Sequence, residues 1–149
     1  MTIRRMVAAH VLRGLVALTF IVGVGSRTHA IAAECPVAGF DWEKIEEAAR
    51  TAPSCERSFQ TFASCSSGAG SDVGVGAVVT SRCEADFLTK LSSAQRQVYR
   101  SEQAQCQRKY QQESGTMYRS FEAFCGAEIA RAYARRHAAH SAAPRDAQR

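Results

Sequence analysis

The sequence is short of the residues that most enzymatic chemistry needs. Its 149 residues include four histidines, and two of them, His10 and His29, fall in the leader-like N-terminal stretch. The other two, His137 and His140, sit three apart near the C-terminus. Two ligands in a terminal segment make a poor metal site, so neither a metal nor a cofactor is expected. No histidine falls in the expected core, so a serine or cysteine nucleophile has no base beside it. There is no C-x-x-C pair, which weakens the zinc and thioredoxin-type readings. The glycine-rich stretch Ser66 to Val79 (SSGAGSDVGVGAVV) has neither a preceding strand nor a following G-K-[ST], so it is not read as a phosphate loop. A membrane span is missing too. The charge-free run Gly14 to Gly25 (GLVALTFIVGVG) has 12 residues, where a spanning helix needs about 20.

What stands in place of a span is a secretory signal. Arg4, Arg5 and Arg13 form a cationic start, the apolar run follows, and Ala30, Ala32 and Ala33 supply small residues for cleavage. Residues 1–33 are expected to be removed, with the mature chain starting near Ala33 or Glu34. Met6-Val7 after Arg4-Arg5 does not continue a twin-arginine signal. Glu34 precedes Cys35, where a lipid-modified cysteine follows a small residue. The mature protein is therefore expected to be unlipidated, off the membrane, and periplasmic or secreted. Removing the leader also changes the charge. The whole chain is +5, but residues 1–33 hold four arginines and no acid, which leaves 15 basic and 14 acidic residues, a net +1. A nucleic-acid partner loses its electrostatic basis with that change.

All six cysteines lie beyond the leader: Cys35, Cys55, Cys65, Cys83, Cys106 and Cys125. An even number in a small exported domain points to three disulfides formed in an oxidising compartment. A domain of this size buries a limited core, and each bridge typically adds about 2–4 kcal/mol.

The periodicity is helical throughout. Asp41 caps a first helix to Arg50, with Trp42, Ile45, Ala48 and Ala49 on one face and Glu43, Glu46 and Glu47 in the early turns. Pro53 ends it, and Ser54 caps a second helix to about Cys65, with Cys55, Phe59, Phe62 and Ala63 as its stripe. Four glycines and three serines make Ser66 to Val79 a connecting loop. A long third helix is expected from Thr80 or Ser81 to about Gln112, striped by Phe87, Leu91, Ala94, Val98, Cys106 and Tyr110. Gly115 stops it. Thr116 caps a fourth helix to about His137, faced by Tyr118, Phe121, Cys125, Ile129 and Ala132. The fold class is all-α: a small disulfide-stapled helical bundle with a long C-terminal helical hairpin. The domain covers residues 34–137, and residues 138–149 form a flexible tail.

The hairpin fixes one bridge. Cys106 lies nine residues before Gly115 and Cys125 ten after it, so antiparallel packing sets the two sulfurs opposite each other. Cys55 and Cys65 share a helix and stand about 15 Å apart, beyond the reach of about 7 Å that a disulfide allows. Two schemes remain: Cys35–Cys55 with Cys65–Cys83, or Cys35–Cys65 with Cys55–Cys83. The first is favoured because Cys65 and Cys83 flank the glycine-rich stretch.

No catalytic residues emerge. Glu43 and Glu47 share a helix face, but without a cleft that raises one pKa they read as a solvated surface rather than a glycosidase pair. Asp41, Glu43, Glu46 and Glu47 form the densest acidic group, and so the local candidate for meeting a basic protein partner.

The C-terminal half carries a recognisable pattern: Leu91, Ala94, Gln95 and Arg96 as L-x-x-A-Q-R, then Cys106, then Gly115-Thr116-Met117, then Cys125 and Arg131. Over about Leu91 to Arg136 it resembles the lysozyme-inhibitor LprI-like family. The resemblance implies a helical, exported, cysteine-bridged domain with lysozyme as a protein partner; the lack of catalytic residues adds the expectation that it is not an enzyme. The other expected role is an envelope structural or assembly factor with no lysozyme activity.

Overall fold

The computed structural model describes residues 34–142; the leader and the end of the expected tail lie outside the described residues. Five α-helices are described: α1 (Trp42–Arg50), α2 (Cys55–Cys65), α3 (Asp72–Phe87), α4 (Ser93–Tyr110) and α5 (Thr116–Ala142). The fold is an all-α, disulfide-stapled bundle. α3 and α5 pack most extensively, α1 and α2 cover one flank of α3, and α4 lies along α5.

The first two helices form where their caps place them. The Asp41 carboxylate accepts from the Lys44 backbone N–H at 3.3 Å, and the Ser54 hydroxyl accepts from that of Arg57 at 3.3 Å. α1 buries Ile45 and Ala49, and α2 buries Cys55, Ser58, Phe59, Phe62 and Cys65. Ser58 is fully buried and satisfied, its hydroxyl donating to the Ala49 carbonyl at 2.7 Å.

The glycine-rich stretch departs from expectation. Only its first part connects; α3 begins at Asp72 and runs through Gly74 and Gly76. The buried positions Asp72, Val75, Gly76, Val79, Cys83 and Phe87 recur at three- and four-residue steps, which is a helical stripe. Tertiary packing compensates the poor helix propensity of glycine here. A Cβ at Gly76 would come within 2.8 Å of the Ala123 Cβ, so the glycine lets α3 and α5 approach closely. Asp72 ties down the preceding turn. Its carboxylate is fully buried and accepts from the backbone N–H of Gly68 at 2.9 Å, that of Ser67 at 3.3 Å and the Ser120 hydroxyl at 2.6 Å.

The expected long third helix is two helices. A 3-10 turn, Leu88–Lys90, and an extended Leu91 separate α3 from α4. Ser92 restarts the helix with a reciprocal capping box: its hydroxyl accepts from the Gln95 N–H at 3.2 Å, and its own N–H donates to the Gln95 side chain at 2.8 Å. The break resets the register, so Tyr99 is buried while Val98 is 54% exposed. Gly115, with φ 109°, makes the left-handed turn into α5. α5 continues past His137 into the stretch expected as tail. Its buried face is Ser120, Ala127, Ala130, Tyr133 and Ala134, rotated from the expected one, and Phe121 is exposed.

Cys106–Cys125 forms as the hairpin register requires, with Cα atoms 5.7 Å apart. The favoured scheme for the other four cysteines is not the one found; the bridges are Cys35–Cys65 and Cys55–Cys83. The reason is the early start of α3. With helix from Asp72, α3 runs back along α2 and brings Cys83 to Cys55 at the far end. Cys65 is left to the N-terminal segment carrying Cys35. α2 is tied to α5 by ion pairs. Glu56 meets Arg131 at 2.8 Å and Arg135 at 2.8 Å, and the Arg131 guanidinium lies 4.2 Å from the centre of the Phe59 ring. Burial pushes the Glu56 carboxyl up, but the hydrogen bonds and charges of the two arginines outweigh it and hold it below the usual carboxylate range.

Candidate functional site

Two surfaces gather polar chemistry. The first is the N-terminal face of α1. Asp41 serves as its cap and also pairs with the Lys44 ammonium at 2.9 Å; the side-chain hydrogen bond from Lys44, then its backbone N–H, hold the Asp41 carboxyl below the usual range. Glu47 pairs with Arg50 at 3.0 Å. Glu46 is half-buried, its carboxylate filling the space beside Gly74, and Glu43 is exposed. The four acids of the expected patch are thus brought together on one short helix, with Asp41 and Glu47 already answered by cations. Charge alone leaves a modest patch.

The residue just before the Asp41 cap carries no pattern in the sequence. Phe40 is 54% exposed and adopts φ 50°, a left-handed conformation that bulky residues avoid. Its ring lies 6.4 Å from that of the half-buried Trp42. Gly39, at φ 76°, makes the turn that projects it. The glycine–phenylalanine step before the Asp41 cap was the available signal. An apolar residue at that place commonly staples to the first turn of the helix, whereas here most of Phe40 faces solvent.

The second surface is a groove of about 420 Å³ between α3 and α4, floored by α5. Gly76, Ala77, Ala123 and Gly126 make a shallow floor, and Thr80, Glu84, Gln103, Gln107, Arg119 and Glu122 line the walls. One wall is fixed by a chain of hydrogen bonds. The Tyr99 hydroxyl donates to the Glu84 carboxylate at 2.7 Å, and the Gln103 amide donates to the Tyr99 oxygen at 2.9 Å and to the Gly126 carbonyl at 3.0 Å. Burial, and then the hydrogen bond to Glu84, push the Tyr99 phenol well above its ordinary value. At the groove's end Arg119 and Glu122 pair at 3.1 Å. The lining offers amides, hydroxyls and carboxylates to a polar chain laid along it. Its carboxylates already serve Tyr99 and Arg119, and no histidine stands among the lining residues. Gln103 lies one helical turn after Tyr99, a polar pair that an apolar stripe through Val98 does not reveal.

The two C-terminal histidines are not drawn together as a site. His137 stacks on the buried Phe87 ring at 6.0 Å, and His140 is exposed. Among the described residues no cluster of three or more histidine, cysteine, aspartate or glutamate side chains is placed to hold a metal ion. Among them too, no helix is long and apolar enough to cross a membrane. Against known protein families, curated proteins and solved structures, the chain finds no match.

Proposed function

We propose that this chain is an exported binding protein of the bacterial cell envelope, without catalysis of its own, that holds a basic protein partner against the N-terminal face of α1. Lysozyme is the partner the C-terminal resemblance to LprI-like inhibitors puts first. The observation that carries the reading is Phe40. A left-handed, largely exposed phenylalanine costs about 1–2 kcal/mol of local backbone strain, and the fold recovers little from it, since the side chain is not in the core. On the helix that follows it, Glu43 is exposed and Glu47 pairs with Arg50. An apolar knob with carboxylates at its back suits insertion into an apolar hollow rimmed by cations. Three disulfides fit an oxidising compartment outside the cytoplasm.

The test is lysis of bacterial cell walls by a basic lysozyme, with and without the mature chain. Inhibition is expected, and it is expected to be lost in Phe40→Ser and in Glu43→Lys/Glu47→Lys. Glu46 is left alone because it packs beside Gly74. Far-UV circular dichroism should stay helical in both variants. If the variants inhibit as well as the parent, the α1 face is not the contact. If the parent inhibits no lysozyme, the second reading takes its place: an envelope structural or assembly factor. That reading draws on the tip of the α4–α5 hairpin, where Met117 is 50% and Phe121 43% exposed, with Tyr110 and Tyr118 beside them. Such a cluster suits a protein–protein contact.

A further inference from the structure

The three disulfides differ in where they sit. Cys55–Cys83 lies wholly in the main hydrophobic core; Cys35–Cys65 and Cys106–Cys125 each join a buried cysteine to a half-buried one, and only the latter pair lies outside that core altogether. Both line an open hollow of about 220 Å³, together with Glu102, Gln105, Lys109 and Ile129. α4 also has little else to hold it. Of its 18 residues only Tyr99 and Cys106 are buried. The first half is anchored by Tyr99, packed edge-on against Phe87 and Tyr133, and by Gln103 on the Gly126 carbonyl. Beyond Gln103 the bridge is the one buried attachment, helped by a glancing Tyr110–Phe121 contact with ring centres 6.2 Å apart.

We propose that Cys106–Cys125 is a thiol–disulfide exchange site, at which an external dithiol opens the bridge and releases the outer half of α4. The thiolate of the dithiol attacks Sγ of the half-buried Cys125. A mixed disulfide forms, and Cys106 leaves as a thiolate into the hollow that Lys109 lines, where it takes up a proton. The second thiol of the dithiol then attacks its own partner sulfur in the mixed disulfide. Cys125 is freed as a thiol, the dithiol becomes a disulfide, and two electrons have passed to the protein. The consequence reaches the groove, because Gln103, Cys106 and Gln107 form its α4 wall. Oxidised, that wall is closed against α5. Reduced, it is held only at Tyr99 and Gln103.

The experiment uses the oxidised mature protein. Graded dithiothreitol is applied, free thiols are trapped with iodoacetamide at intervals, and labelled cysteines are mapped. Label is expected at Cys106 and Cys125 about tenfold sooner than at Cys55 and Cys83, as befits a bridge with one half-buried sulfur against one buried in the core. At that stage amide exchange over residues 104–115 should rise to near the unprotected rate, while residues 42–87 stay protected. The Cys106→Ser/Cys125→Ser protein should show the same exchange pattern without reductant. The proposal is overturned if Cys55–Cys83 opens first or together with this bridge. It is equally overturned if residues 104–115 keep their protection once the bridge is open.

Discussion

Alanine at Gly74 and alanine at Gly76 should change stability with opposite sign, although the two positions are two residues apart on one helix. In a helix interior alanine is favoured over glycine by about 1 kcal/mol. At Gly74 the added methyl would meet only the end of the Glu46 side chain, which can swing toward solvent. Most of the propensity gain should survive, about 0.5–1 kcal/mol. At Gly76 the same methyl would stand 2.8 Å from the Ala123 Cβ and 3.3 Å from both the Ala123 carbonyl oxygen and the Phe62 ring. None of these can swing away. Ala123 is part of α5, and Phe62 is fully buried and stacked on Phe124 with ring centres 4.0 Å apart. Overpacking of this kind costs about 1–3 kcal/mol, so a net loss of about 1 kcal/mol is expected after the helix gain. The two variants should differ by about 2 kcal/mol, which is roughly 8 °C in melting temperature for a domain of this size. Thermal and urea unfolding of the oxidised proteins, followed by far-UV circular dichroism, reads the difference. If Gly76→Ala raises the melting temperature as much as Gly74→Ala, then α3 does not lie against α5 as described, and the account of the glycine-rich stretch fails.

Further outcomes follow from the buried polar groups. Asp72→Ala leaves the Gly68 N–H and the Ser120 hydroxyl without their acceptor and should cost about 3–4 kcal/mol, measured by urea unfolding, with Asp72→Asn losing less. The Glu56 carboxyl is depressed in the folded state, so its contribution is present above the unfolded value of 4.5 and fades as pH falls through the folded one. The parent's advantage over Glu56→Gln, about 1 kcal/mol for this partly exposed group, should therefore shrink below pH 4.5 in stability–pH profiles. Tyr99 and Tyr133 are pushed the other way, chiefly by burial, so their contribution is intact below about pH 10 and lost as pH rises further. Ultraviolet titration should find two tyrosines ionising late, and one fewer in Tyr99→Phe. Replacing both Cys106 and Cys125 by serine should cost about 3 kcal/mol by urea unfolding, as befits a bridge closing a short loop.

Much of this architecture is legible in the residues, and the failures share a cause. Asp41 and Ser54 announce α1 and α2 because capping is a local hydrogen bond to a backbone group three residues on. The Cys106–Cys125 bridge is legible because a short turn forces two helices into an antiparallel register. The glycine-rich stretch misleads because glycine frequency measures local preference, whereas Gly76 is there for a contact with Ala123, 47 positions away in sequence. A start of α3 after the glycines also hides the pairing of Cys83 with Cys55, which depends on α3 running back along α2 from Asp72. The Leu91–Ser92 break carried its own sign, the Ser92 to Gln95 capping box, overridden by a continuous-looking stripe through Val98. On the candidate site, the four acids were visible as composition. Phe40 was not, because its significance lies in a backbone angle and an exposure rather than in a pattern.

The claim that the α1 face meets a basic partner rests on a knob and a few carboxylates, on residues 34–149 that carry a net charge of only +1. Exposed charges of this kind are screened within about 8 Å at physiological salt. Calorimetric titration of a basic lysozyme into the mature chain, at low and at high salt, tests the claim most directly. Saturable one-to-one binding that weakens about tenfold or more between the two salts is expected, with Phe40→Ser weakening it at both. Absence of binding at low salt, or binding indifferent to both salt and Phe40, would contradict it.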